Sequence, residues 1–316
     1  MLATAVSAAI RRCWIGSLAA AVGIGCIACG GGHVPLPVLS PSDLGDTTGL
    51  AARGEYIVRN VAVCGRCHAA DPKKDPDGAL SGGFAFRNWR LGTVRAANIT
   101  PDPETGIGAW SDAEVLRAIR NGEDRDGELL APAMPYEWFH EMSDRDVLAV
   151  VRYLKSQPPV RHEVRNNKNL VYAVAEVFIL KPVTNPKRIG SVPRGPTPEY
   201  GRYLANYVAL CADCHTPRGG LQLSLKRDRL FAGNPDPPKG FPGKTANLTP
   251  DSATGIGKWS EQDFLRTLRT GKDPAGDTLN AYMRWREFKR MTDDDLRSIY
   301  RYLRTVPAIN NRIPRQ

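Results

Sequence analysis

The chain of 316 residues carries 30 glycines but no dinucleotide or P-loop glycine pattern, which sets aside the common nucleotide-dependent enzymes. It has no clustered basic arm. Lysine and arginine are scattered among acids, so the net charge of +10 does not point to nucleic acid. With 42% hydrophobic and 24% charged residues it lacks the composition of a disordered, collagen-like or polytopic membrane protein. Glycine and proline are plentiful instead, and with 25 prolines the chain should consist of short elements joined by many turns. The length suits about two domains.

One stretch is free of charge. Arg11 and Arg12 precede residues 13–29, a positive and then apolar pattern that reads as an export signal. The run is at the short end of what spans a bilayer, so an uncleaved anchor is the alternative. Ala28-Cys29, then Gly30-Gly31-Gly32 and Pro35, Pro37 and Pro41, resembles a bacterial lipoprotein junction and tether. Cys29 is therefore a lipidation candidate, although Cys26 stands where an aliphatic residue is expected. Residues 1–29 are read as signal peptide or membrane anchor and 30–49 as tether. The expected location is the bacterial periplasm, tethered to the membrane by the N-terminus. Without the two leader arginines the charge is +8.

Seven cysteines fall at 13, 26, 29, 64, 67, 211 and 214, so two Cys-x-x-Cys pairs remain beyond the leader. Each is followed at once by histidine, in Cys64-Gly65-Arg66-Cys67-His68 and Cys211-Ala212-Asp213-Cys214-His215. This is the signature of covalent c-type haem attachment, and about 0.002 chance occurrences are expected at this composition. Two thiols add across two vinyl groups of one porphyrin, and the adjacent imidazole is placed under the iron. A redox dithiol lacks its strand–helix context, and a shared Cys₄ zinc site would leave the histidines unexplained. Two covalent haems are expected, on Cys64, Cys67, Cys211 and Cys214, with His68 and His215 as proximal ligands.

The chain repeats itself. Asn98-Ile99-Thr100-Pro101-Asp102 matches Asn247-Leu248-Thr249-Pro250-Asp251, Thr105-Gly106-Ile107-Gly108 matches Thr254-Gly255-Ile256-Gly257, and Trp110-Ser111 matches Trp259-Ser260. These pairs are 149 residues apart and the haem motifs 147, which predicts one two-residue length difference between motif and loop. Ser111 with Glu114 and Ser260 with Asp263 read as capping boxes, and Gly122 and Gly271 as C-caps. Ser143 with Asp146 and Thr292 with Asp295 start a last helix that Pro158 and Pro307 stop. The units are 50–160 and 197–308, with a proline-rich linker at 161–196 and a tail at 309–316. Leu170–Leu180 is read as a helix packed between the units, with a partner or membrane contact as the alternative.

These motifs resemble the small all-α cytochrome c fold. From about Leu50 to Pro307 the chain resembles di-haem cytochrome c proteins related to the cytochrome subunits of membrane-bound bacterial alcohol and gluconate dehydrogenases. Those subunits typically carry three haems, whereas two motifs stand here. The resemblance implies an all-α chain of two tandem cytochrome c-like domains, with Gly54 and Gly201 letting the first and last helices cross against Tyr153 and Tyr302. It also supports methionine as the distal ligand. Four methionines pair up at 149 residues: Met134 with Met283, and Met142 with Met291. The second pair directly precedes helix caps, a position suited to core packing. Met134 lies in the proline-rich Ala-Pro-Ala-Met-Pro-Tyr loop, so Met134 and Met283 are assigned to iron. His140 and His162 have no histidine counterpart in the other repeat and are read as surface residues. Trp110, Trp259, Asn98 and Asn247 are candidate donors to haem propionates, with packing and turn formation as their alternative roles.

The expected function is that of an electron-transfer protein with no catalytic residues, taking single electrons from a dehydrogenase. It would pass them to a quinone, terminal oxidase or soluble cytochrome. A di-haem peroxidase or other haem c enzyme is the alternative, and paired methionines argue against the open iron that it needs.

Overall fold

A computed structural model describes residues 34–35, 48–88, 92–169, 171–172, 180–184, 191–219, 224–236 and 243–314. The leader 1–29, Cys29, most of the tether and most of Leu170–Leu180 lie outside these residues. No helix among those described is long and apolar enough to cross a membrane.

The first half runs α1 (Leu50–Tyr56), a π-helical turn (Ile57–Val61), α2 (Gly65–His68), β1 (Ala85–Asn88), β2 (Gly92–Arg95), α3 (Asp112–Asn121), α4 (Tyr136–Phe139) and α5 (Asp144–Lys155). After β3 (Asn167–Lys168) come α6 (Pro198–Tyr203), a second π-helical turn (Leu204–Val208), α7 (Cys211–His215), β4 (Arg218–Gly219) and β5 (Ser224–Leu225). A 3₁₀ turn (Arg227–Arg229), α8 (Glu261–Thr270), α9 (Trp285–Phe288) and α10 (Asp293–Leu303) complete the order. The all-α expectation is thus corrected to a mostly helical architecture with small sheets. β1 pairs β2 antiparallel with Ala85 opposite Arg95, and β3 adds to β2 with Gly92 opposite Lys168. Four-residue strands leave too short an alternation to read against the surrounding turns.

The helices form where local chemistry demands. Ser111 and Glu114, and Ser260 and Asp263, make complete capping boxes, and Gly122 and Gly271 end their helices at φ 74° and 72°. In that left-handed conformation glycine has no Cβ to strain. A Cβ on Gly54 would lie 1.9 Å from the Ala149 carbonyl oxygen, and one on Gly201 1.8 Å from that of Ser298. The glycines therefore let α1 cross α5, and α6 cross α10, at backbone contact, beside Tyr153 and Tyr302.

The length difference between the repeats is compound. The His68 carbonyl accepts from Gly82 N, and that of His215 accepts from Gly233 N. Gly83 then pairs with Ala96 where Asn234 pairs with Thr245. The second half is four residues longer before this anchor and two shorter after it.

The halves embrace reciprocally. Tyr56 and Tyr203 are repeat equivalents, and each caps the last helix of the opposite half. The Tyr203 hydroxyl accepts from Ser143 N (3.2 Å) and donates to Asp146 Oδ2 (2.9 Å). The Tyr56 hydroxyl accepts from Thr292 N (3.0 Å) and donates to Asp295 Oδ2 (2.6 Å). A phenol from the other half thus serves the N-cap amide that a capping box would satisfy from its own helix. One continuous core joins Ile57, Val61, Val150 and Val151 to Leu204, Val208, Leu296 and Leu303.

Candidate functional site: two repeated Cys-x-x-Cys-His centres

Each motif follows a π-helical turn and a left-handed residue that is not glycine, Val63 at φ 56° and Leu210 at φ 59°. The reversal turns the chain sharply into the short helix of each motif, which Cys64 caps in the first and which spans Cys211–His215 in the second. Gly65 is demanded locally, since a Cβ there would lie 1.8 Å from the Pro76 carbonyl oxygen. Burial pushes the Cys64 and Cys211 thiols up to about 12 and also raises Cys67 and Cys214. The Arg284 guanidinium pulls all four the other way, so its charge acts on both motifs at once. Thiols held neutral in this way do not suit thiolate redox chemistry.

The histidines carry the most informative geometry. His68 Nδ1 lies 2.7 Å from the Ala97 carbonyl oxygen and His215 Nδ1 2.8 Å from that of Ala246. A carbonyl only accepts, so Nδ1 bears the proton. Burial holds both imidazoles below their ordinary pKa, against the pull of these carbonyls, and favours the neutral ring. Neutral rings protonated at Nδ1 leave the Nε2 lone pairs available to a metal, the second-neighbour arrangement usual for ligating histidine. No cluster of three or more His, Cys, Asp or Glu among the described residues could hold a metal ion directly. A neutral imidazole with its Nε2 lone pair available, beside two cysteines, is the donor set that a covalently attached haem takes.

Met134 and Met283 sit in equivalent turns. Their amides donate to Ala131 O and Asn280 O, both at 2.9 Å. The aromatic residue two places on, Tyr136 or Trp285, lies over the C-cap glycine of the preceding helix, Gly122 or Gly271. Both methionines are half-buried against the core, whereas Met142 and Met291 lie inside it at 1% and 2% exposure. The Asn98 amide donates to Thr105 Oγ1 (3.1 Å) and the Val160 carbonyl (2.8 Å), and Asn247 repeats this with Thr254 and Ile309. Both amide hydrogens order the loop, the turn-forming role that was the alternative for these residues. Trp110 and Trp259 are half-buried against the core, and their carbonyls accept from Lys155 Nζ and the Tyr300 hydroxyl.

Several residues here carry no motif. Arg66, between the first pair of cysteines, forks onto Glu287 of α9 at 2.7 and 2.9 Å. Its repeat equivalent Asp213 accepts from the indole of Trp138 on α4 at 3.1 Å, and Trp138 is the equivalent of Glu287. Each Cys-x-x-Cys turn is thus braced to the segment just after the opposite half's candidate methionine. His162, though exposed, is pinned with its amide on Thr105 Oγ1 and Nδ1 at 2.8 Å from Ser81 O. Asn311 does the same on Thr254 and Ala232. The one signal in sequence was the equivalent spacing of these positions.

A mostly helical chain with two repeated Cys-x-x-Cys-His turns, each offering a neutral imidazole, defines a c-type haem protein. A di-haem cytochrome c-type protein of Cereibacter sphaeroides is 34% identical over 281 residues, covering 86% of this chain and 92% of that one. The chain belongs to this di-haem cytochrome c family. It carries two covalently bound haem c groups and is an electron-transfer protein rather than a substrate-converting enzyme. The cytochrome c subunit of a quinone-dependent alcohol dehydrogenase from Gluconobacter oxydans is 30% identical over 306 residues. The gluconate 2-dehydrogenase cytochrome c subunit of Pantoea cypripedii is 29% identical over 272 residues. The chain spans 60% of the length of each of these two subunits. No protein-family model matches the chain.

Proposed function

We propose that the chain passes single electrons from a dehydrogenase to a quinone, a terminal oxidase or a soluble cytochrome. It does so from the periplasmic side of a bacterial membrane to which its N-terminus tethers it. The two halves, 50–160 and 197–308, act as tandem cytochrome c domains, with 161–196 as linker and 309–316 as tail. Cys64 and Cys67 hold one haem and Cys211 and Cys214 the other, with His68 and His215 as proximal ligands and Met134 and Met283 as distal ones. Bound haem c supplies a reversible ferric–ferrous couple whose potential a thioether ligand raises. The protein contributes the rest: Ala97 and Ala246 orient the imidazoles, and the Tyr136 and Trp285 rings fix the methionine turns. The observation that carries this reading is the paired His Nδ1–carbonyl geometry at repeat-equivalent positions.

The test is ligand exchange. The oxidised protein should show the weak far-red sulfur-to-iron absorption. Met134→Ala should lower one potential and let carbon monoxide bind about half the haem, and Met283→Ala should do so for the other half. Met142→Ala should instead cost the ~2–5 kcal/mol of a buried methionine truncation and leave both irons closed. Carbon monoxide binding by the unaltered protein would refute the assignment.

A further inference from the structure

We propose that the surface of Tyr282, Arg286 and Lys289 is a docking site for an acidic redox protein, which exchanges one electron there with the haem of the second half. This rests on the reading of Met283 as that haem's distal ligand. The two halves of the protein differ at this segment. Residues 133–141 read Ala-Met-Pro-Tyr-Glu-Trp-Phe-His-Glu, and their equivalents 282–290 read Tyr-Met-Arg-Trp-Arg-Glu-Phe-Lys-Arg. The positions that the fold needs are kept: the methionine, the aromatic ring over Gly122 or Gly271, and the buried Phe139 or Phe288. The positions around them become basic or aromatic, with one outright reversal of charge. Glu137 becomes Arg286, His140 becomes Lys289 and Ala133 becomes Tyr282.

Tyr282 is 67% exposed and adjoins Met283, and Val171 is the only other large hydrophobic so exposed among the described residues. Arg286 is exposed, with its guanidinium 4.6 Å over the Trp285 ring. Among the described residues no acid pairs with Arg286 or Lys289, whereas Arg290 is held by Asp77 and the buried Glu287 by Arg66. Two exposed cations without an acidic partner therefore share one short segment with a projecting aromatic ring, the segment whose methionine would close the iron. Arginine and aromatic residues are those that anchor protein interfaces. Recognition of an anionic bilayer commonly takes 4–8 clustered cations, more than this patch offers. Glu137 on the first half would repel the same acidic partner, so the charge contrast directs it to one of the two haems. Transfer moves one electron between the iron and the partner's redox centre, with no bond made or broken and no proton moved.

The holoprotein should be reduced and oxidised with hexacyanoferrate(III), each anion taking one electron to become hexacyanoferrate(II). One of two kinetic phases should be fast and should slow as salt rises, since exposed charges are screened beyond about 10 Å at 0.1 M. Arg286→Glu with Lys289→Glu should slow that phase about tenfold or more at low salt. Arg161→Glu with Arg165→Glu makes an equal charge change at exposed sites and should not. Poly-L-glutamate should bind the unaltered holoprotein by titration calorimetry and not the Arg286/Lys289 variant. Equal rates and equal polyglutamate binding in the two variants would overturn the proposal. So would binding to phosphatidylglycerol vesicles that the Arg286/Lys289 variant alone abolishes, because the patch would then face lipid. Failure of the ligand reading shows separately, as Met283→Ala leaving both irons closed to carbon monoxide.

Discussion

At Gly54 two opposing effects on one side chain can be compared in magnitude. Alanine in a helix interior is favoured over glycine by roughly 0.5–1 kcal/mol. The new methyl would meet the Ala149 carbonyl oxygen at 1.9 Å and Tyr153 Cβ at 2.7 Å, neither of which is a flexible end. Overpacking of this kind costs about 1–3 kcal/mol or more. Gly54→Ala and Gly201→Ala should therefore both lower the urea midpoint, whereas propensity alone would raise it. Asp102 and Asp251 give a second residue-scale expectation. The hydroxyls of Thr105 and Thr254, and then their amides, hold these carboxyls below the ordinary carboxylate value. A folded pKa below the unfolded one means that the stabilisation is complete above the unfolded value. It is lost as pH falls from about 4 through the folded value. Thermal melts should show the acid limb flattened in Asp102→Asn and Asp251→Asn, with lower stability at neutral pH.

At the scale of elements, the reciprocal tyrosine caps differ in burial and so in worth. Tyr203, Ser143 and Asp146 are all buried, whereas around the other cap only Asp295 is buried, Tyr56 being half-buried and Thr292 exposed. Removing a partner from a buried donor costs about 1–3 kcal/mol, and water replaces much of an exposed bond. Denaturant titration should find Tyr203→Phe clearly more destabilising than Tyr56→Phe. These caps also mark where sequence reading stops. Ser111, Ser260, Gly122 and Gly271 were legible because capping is decided within four residues, and both haem motifs because porphyrin attachment fixes their spacing. The strand pair Ala85–Asn88 and Gly92–Arg95 was missed because each strand is four residues long. The braces Arg66–Glu287 and Asp213–Trp138 were not legible, since nothing local ties a motif to a helix 221 or 75 residues away. The roles of Asn98 and Asn247 needed the bond partners at 160 and 309, which only the folded chain brings near.

At the scale of the molecule, the question is whether the halves stand alone. Repetition of sequence suggests units that could fold independently, but the packing argues otherwise. The core is continuous from Ile57 to Leu303, and Glu287 is 3% exposed with its charge met by Arg66 from the other half. A carboxylate buried in that way costs about 3–5 kcal/mol when its partner is removed. Calorimetry of the holoprotein should accordingly give one transition, with calorimetric and van't Hoff enthalpies equal. Arg66→Ala should move that single transition down as a whole, although residue 66 belongs to the first half and the orphaned Glu287 to the second. Independent halves would show two transitions, with Arg66→Ala displacing only one of them. A single shifted transition would mean that the two haem sites form and are lost together.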